Sequence, residues 1–173
     1  SCWLRAERFI GRGCRSLMKI RLISVGTRMP SWVKEGTTEY SKRIERDLNF
    51  SLVEVPRAKR AKNQSAEVSK AKEGVELRAQ IKPGDYVVAL DVVGKPFSTA
   101  DLAGRIQNFR ADGRDLAFLV GGPDGLDAAC LARSDARWSL SALTLPHPLV
   151  RILMIEQLYR AASIISGHPY HRE

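Results

Sequence analysis

Residues 86–91, Tyr-Val-Val-Ala-Leu-Asp (YVVALD), decide the fold class. The run is nearly all apolar, as expected of a strand whose two faces are both covered by helices. Working outward, Leu116–Val120 (LAFLV) is a second run of this kind. Ile20–Val25 (IRLISV) is a short β-branched run closed by Gly26, Phe50–Val55 runs into Pro56, and Arg137–Leu140 reads as the last strand. Helical stretches separate these runs. Pro30 and Ser31 open one that continues to about Arg46, with Trp32, Val33, Tyr40 and Ile44 as its apolar positions. Proline suits a first turn, where its missing N–H costs nothing. A polar helix spans about Ser65 to Ile81 and is ended by Lys82-Pro83-Gly84. Ser98 and Asp101 make a cap for a helix reaching Arg110, Leu126–Leu131 is a short helix or turn, and a final helix spans about Leu149 to Ile165. Gly94-Lys95-Pro96 is expected to be a turn.

Strands alternating with helices predict one α/β domain with a mostly parallel sheet and helices on both faces. In such sheets ligands bind at the carboxyl ends of the strands. The loops after the third, fourth and fifth strands are therefore the first places to look for a site.

Length and composition agree with a single domain. The chain has 173 residues, 44% of them hydrophobic, with 28 Lys+Arg against 19 Asp+Glu and a net charge of +9. A chain of this size buries enough surface to fold without disulfide or metal staples. No apolar stretch reaches the roughly 18–20 residues of a membrane span. Cys2, Cys14 and Cys130 lack zinc-site spacing, and their odd number fits a reduced, cytoplasmic setting. The positive balance raises the expectation of a polyanionic partner, RNA or DNA.

Residues 1–17 read differently from the rest. They carry Arg5, Arg8, Arg12 and Arg15 against Glu7 alone. Such a segment is an organelle transit peptide, a disordered extension, or the product of a start placed upstream of the true one at Met18, where a strand begins at once. Without it, 24 basic and 18 acidic residues leave a net charge of +6. The RNA inference then rests on the cluster Arg57, Lys59, Arg60 and Lys62 rather than on the total.

Three features carry chemistry. Residues 121–125 (GGPDG) hold three glycines, which let a backbone bend sharply or approach a ligand closely. They form either a nucleotide- or nucleoside-binding loop or simply a tight turn, and no P-loop lysine follows. Residues 140–149 (LSALTLPHPL) are apolar where a polar loop is normal, and His147 lies between two prolines. This segment is expected to be buried, with its backbone groups bonded to neighbouring loops or to the edge of a heterocycle such as adenine. His147 reads as structural. Finally, His168-Pro169-Tyr170-His171-Arg172 groups two imidazoles, a phenol and a guanidinium, which suits stacking on bases and contact with phosphates. It could also supply a proton acceptor, or be an inert chain end.

Taken together, GGPDGL, WSLSALTLPHPLVRILMIEQLYRA and the terminal GHPYHRE resemble one family, and MKIRLISVGTRMPSWVKEGTTEY resembles its beginning. The family is the bacterial large-subunit rRNA pseudouridine-N3 methyltransferases of the RlmH type, in the SPOUT superfamily. The resemblance spans 18–173 and implies a SPOUT-type α/β knot, with the C-terminal part tied in a trefoil. It implies a homodimer that uses S-adenosyl-L-methionine to methylate a pseudouridine in the helix 69 loop of 23S rRNA in the assembled ribosome. Leu90, Gly121 and Gly122 match its cofactor contacts, as do Ser141, Ala142, Leu143, Thr144, Leu145 and Pro146. No phosphate-binding lysine is needed, because this cofactor has no phosphates.

For catalysis, the candidates are His171 as proton acceptor, His168 as the second choice, Tyr170 to hold the base, and Arg160 or Arg172 to stabilise developing charge. Arg57, Lys59, Arg60, Lys62 and Arg172 would contact RNA. Glu156 and Arg160, four residues apart on a helix, could equally be an ordinary ion pair. No metal and no membrane are implied. The rival readings are a non-enzymatic ribosome- or RNA-binding factor, a nucleotide-binding α/β enzyme, and a SPOUT methyltransferase with a different RNA target.

Overall fold

The computed structural model describes residues 18–172. The leader read from residues 1–17 lies outside the described residues. Five strands, β1 (Ile20–Val25), β2 (Phe50–Val55), β3 (Tyr86–Pro96), β4 (Leu116–Val120) and β5 (Ala136–Ser139), form one sheet in the order β2-β1-β4-β3-β5. Every neighbouring pair is parallel. The helices are α1 (Ser31–Ile44), α2 (Ala66–Ala79), α3 (Thr99–Asp112), α4 (Ala128–Arg133) and α5 (His147–Ser166), followed by a 3-10 turn over Pro169–Arg172.

The strands at the centre are covered on both faces, as their sequences require. Leu22 and Phe118 pack with Ile44, Leu102, Ile106, Met154 and Leu158, which come from α1, α3 and α5. Ile23, Val87 and Leu119 pack on the opposite face against Leu77 of α2 and Cys130 of α4. Successive residues on a strand point to opposite faces, so Leu22 and Ile23 are both fully buried, in different layers. Burying each such side chain is worth about 1.5–3 kcal/mol.

Local chemistry fixes where the helices begin. Ser98 accepts from the Asp101 N–H at 3.0 Å while Asp101 accepts from the Ser98 N–H at 3.0 Å, a reciprocal capping box. Ser65 and Asp127 cap α2 and α4 in the same way through one bond each, to the N–H of Val68 and of Cys130. Asp127 also receives Arg78 from α2 at 3.0 Å.

Two expectations need correction. Gly94-Lys95-Pro96 is not a turn: β3 continues through it after an irregular stretch, and Lys95 and Pro96 pair with Trp138 and Ser139 of β5. A Cβ at Gly94 would lie 2.7 Å from the Trp138 carbonyl carbon, so the strands meet this closely only with glycine. The final helix also begins earlier than Leu149. Pro146 stands at its cap and His147-Pro148 form its first turn, where proline is tolerated.

Candidate functional site

Because all five strands are parallel, their carboxyl ends share one edge of the sheet. The position of α5 shows what crosses that edge. Arg151 of α5 is 1% exposed, and its Nη2 donates to Ser24 Oγ at 3.0 Å and to the carbonyls of Val25 and Gly26 at 3.1 and 3.2 Å. Its Nη1 donates to Glu54 Oε2 at 2.7 Å. The helix therefore starts above the ends of β1 and β2. Since β5 lies beyond β4 and β3 at the far border, residues 140–146 must pass over the ends of those two strands.

This crossing segment is open, contrary to the expectation of burial. Leu143 is 71% exposed, and Ala142, Thr144 and Pro146 are also exposed. The physical reason is that, among the described residues, no other element covers it. Ser141 ties it locally, accepting from the Leu143 N–H at 3.0 Å while its carbonyl accepts from Ser139 Oγ at 2.9 Å. Among the described residues, no protein group bonds the amides of Ala142, Thr144 or Leu145. An apolar surface with available amides matches the needs of an uncharged heterocycle.

Beneath the segment lie the ends of β3 and β4. Leu90 is half-buried and pairs in register with Trp138. Residues 121–125 form a tight turn, in which the Gly125 N–H donates to the Gly122 carbonyl at 3.0 Å and Gly125 adopts φ 83°. Pro123 and Asp124 take its corners, as their backbone preferences favour. A Cβ at Gly121 would lie 2.5 Å from the Gly125 carbonyl carbon. The turn thus excludes side chains from the carboxyl end of β4.

The basic residues Arg57, Lys59, Arg60 and Lys62 are exposed in the loop between β2 and α2. This loop is fastened to the glycine turn: Arg60 bonds Asp124, and the Ala58 N–H donates to Glu73 Oε1 at 3.2 Å. Glu73 and Arg151 were not anticipated as site residues. Both sit on helices, and a charged residue in an amphipathic pattern carries no mark of burial until the packing partner is known.

The C-terminal candidates gather around the middle of α5. Arg160 donates from Nε to Glu156 Oε1 at 2.9 Å, and the Tyr170 hydroxyl donates to the same oxygen at 3.2 Å. The Tyr170 ring lies 4.3 Å from that of Tyr159 and 5.0 Å from the Arg160 guanidinium carbon. Burial first, then Tyr40 and Glu156, push the Tyr170 phenol up to about 12. His171 Nδ1 is 2.7 Å from the His168 carbonyl, and His168 Nδ1 accepts from the Tyr170 N–H at 3.3 Å. Arg172 is exposed. These residues are brought together with one another but not with the crossing segment. Tyr170 touches Glu156, ten residues along α5 from Pro146, which is about 15 Å of helix rise.

Among the described residues, no group of three His, Cys, Asp or Glu is placed to hold a metal, and no helix is long and apolar enough to cross a membrane. The family model described as "Predicted SPOUT methyltransferase" matches residues 18–171. The chain belongs to the SPOUT methyltransferase family. This SPOUT chain is 53% identical over 156 residues to the ribosomal RNA large subunit methyltransferase H of Hahella chejuensis, covering 90% of this chain and 100% of that one. The protein of the same name from Saccharophagus degradans is 53% identical over 155 residues, with the same coverage. A crystal structure of a probable methyltransferase from Bordetella pertussis superposes with a TM-score of 0.54 at 19% identity, over 85% of this chain and 96% of that one. That likeness concerns the fold alone.

Proposed function

We propose that this SPOUT methyltransferase transfers a methyl group from S-adenosyl-L-methionine to N3 of a pseudouridine in the helix 69 loop of 23S rRNA, in the assembled ribosome. The observation that carries the reading is the open segment 140–146, apolar and with unengaged amides, crossing above Leu90 and the glycine turn. Its residues fit the cofactor: the amides of Ala142, Thr144 and Leu145 would hold the adenine edge, and Gly121 and Gly122 would admit the ribose and methionine part. When bound, the cofactor supplies a methyl group activated by a sulfonium, so the chain's task is mainly positioning. The rRNA target rests on the names of the relatives together with the exposed basic loop. A cytoplasmic setting follows from that target.

The acceptor nitrogen carries a proton at neutral pH, which has to be taken up. His171 accepts it, directly or through a water, with His168 as the second candidate. Arg160, oriented by Glu156, or Arg172 stabilises the charge that develops. Tyr170, its phenol held protonated, donates a hydrogen bond or stacks rather than acting as a base. Arg57, Lys59, Arg60 and Lys62 meet rRNA phosphates.

The working unit is a homodimer. Trp32 on α1 is 53% exposed, and Leu149 and Leu153 on the first half of α5 are also uncovered. The two helices touch closely where Ile152 Cδ1 lies 3.1 Å from the Cβ position of Gly36. An apolar face of this kind beside the crossing segment invites a second copy. That copy would also resolve the separation between the tail and the segment, by bringing one chain's tail to the other's cleft. The passage of residues 140–146 over two strand ends is consistent with the trefoil knot that the family resemblance implies.

Two measurements test the reading: calorimetry with S-adenosyl-L-methionine alone, and transfer of labelled methyl groups to 70S ribosomes lacking the modification. Binding with transfer supports it. No cofactor binding, with ribosome binding intact, would leave a non-enzymatic RNA-binding factor. Transfer to another RNA would keep the chemistry and change the target.

A further inference from the structure

Glu73 lies on α2, outside every segment so far assigned to the cofactor, and is 3% exposed. Its Oε1 accepts from the Ala58 N–H, while its Oε2 is buried with no hydrogen-bond partner. Among the described residues, the other two buried side-chain polar atoms without partners, Arg110 Nε and Arg151 Nε, belong to guanidinium groups that are bonded elsewhere. Glu73 is different: half of an acidic group faces the protein interior unmatched. Native structures rarely leave such an atom without a partner, whether protein, water or ligand.

The direction in which it points is informative. Oε2 lies 2.9 Å from where a Gly122 Cβ would be, so the carboxylate looks at the bare main chain of the glycine turn. The placement is rigidly defined. Gly74 packs against the Asp127 carboxylate, which a Cβ would approach to 2.4 Å, and Arg78 donates to the same carboxylate at 3.0 Å. These contacts lock α2 against the start of α4 and aim Glu73 at the turn that joins β4 to α4. Burial is the largest effect on Glu73 and raises its pKa, with the Ala58 N–H acting in the opposite sense. A cationic donor beside Oε2 would hold it ionised.

We propose that Glu73 is a cofactor-binding residue whose Oε2, packed on the bare main chain of Gly122, receives the α-ammonium group of the methionine moiety. The inference rests on the proposed reading that the glycine turn borders the methionine part of S-adenosylmethionine. An ammonium supplies the hydrogen-bond donor that the orphan oxygen lacks, and brings to contact distance a positive charge that Arg57 and Arg60 exert only from further away. Glu73 then links two ligands, since its other oxygen anchors the basic loop at Ala58.

The test uses the full-length protein and calorimetry with three nucleosides. These are S-adenosylhomocysteine, its analogue with hydrogen in place of the ammonium, and 5′-methylthioadenosine, which lacks the amino-acid part altogether. For the wild type, removal of the ammonium should weaken binding about 10- to 100-fold, the range for a hydrogen bond to a charged group. Glu73→Gln should weaken S-adenosylhomocysteine by a similar factor and leave methylthioadenosine within about twofold, and in this variant loss of the ammonium should cost almost nothing. Equal weakening of all three by Glu73→Gln would assign the residue a structural role and overturn the proposal. Equal wild-type affinity for the ligands with and without ammonium would overturn it without any variant, so a poorly folding Glu73→Gln does not protect it. If the wild type bound none of the three, the cofactor reading itself would fall.

Discussion

Arg151 of α5 and Glu54 of β2, 97 positions apart in the chain, are joined by a hydrogen bond of 2.7 Å. The same guanidinium closes the carbonyls of Val25 and Gly26, so one side chain seats the helix that follows the crossing segment. Arg151→Met should destabilise the fold by about 2–4 kcal/mol, because it strips buried acceptors of their donor. Glu54→Gln should cost below about 1 kcal/mol, because the Glu54 side chain is 37% exposed and water replaces the charge partner. Denaturant titration of the two variants checks the ranking, and equal losses would mean that the ion pair rather than the carbonyl contacts seats α5.

His147 opens α5 close to this cluster, and its Nε2 lies 3.7 Å from the Cβ position of Gly26. Burial first, then the charges of Arg151 and Arg57, hold its pKa below the ordinary 6.5. The unfolded chain therefore binds the proton more readily than the folded one. Its contribution to stability is complete above about pH 6.5 and is lost as pH falls through the lower folded value. Melting curves between pH 7.5 and 5 should show a steeper acid loss for the wild type than for His147→Asn. Parallel curves would remove this histidine as the cause.

Glycines at two positions should respond in opposite directions. Gly121→Ala places a methyl group within 2.5 Å of backbone that cannot move aside, and should lose both stability and cofactor affinity. Gly104, inside α3, has nothing within 4 Å of a Cβ, so Gly104→Ala should gain about 0.5–1 kcal/mol. A neutral Gly121→Ala would contradict the close turn described above.

The strands that carry this geometry were legible because their chemistry is local. IRLISV, FSLVEV and LAFLV form strands over the residues read from the sequence, each closed by a breaker, Gly26, Pro56 or Gly121. Tertiary pairing decided the rest. Lys95 and Pro96 look like turn residues, yet β5 offers them partners that no local rule reveals. The apolar segment 140–146 suggested burial because composition reports only a need for cover. It does not say whether the cover comes from the same chain, a ligand or a second copy. Glu73 was illegible for a related reason, since its one unpaired oxygen exists only once α2, the basic loop and the glycine turn are assembled.

The apolar face of α1 and α5 gives a separate prediction. Leu153 is 40% exposed in the single chain. Leu153→Glu should shift the protein from dimer to monomer in sedimentation equilibrium while leaving its far-ultraviolet spectrum unchanged. A dimer of undiminished affinity would place the interface elsewhere.

The most direct measurement of the central claim is mass mapping of 23S rRNA from cells in which this gene has been deleted. A single methyl group should be lost from a pseudouridine in the helix 69 loop and should return when the gene is restored. A modification map identical to that of the parent cells would contradict it.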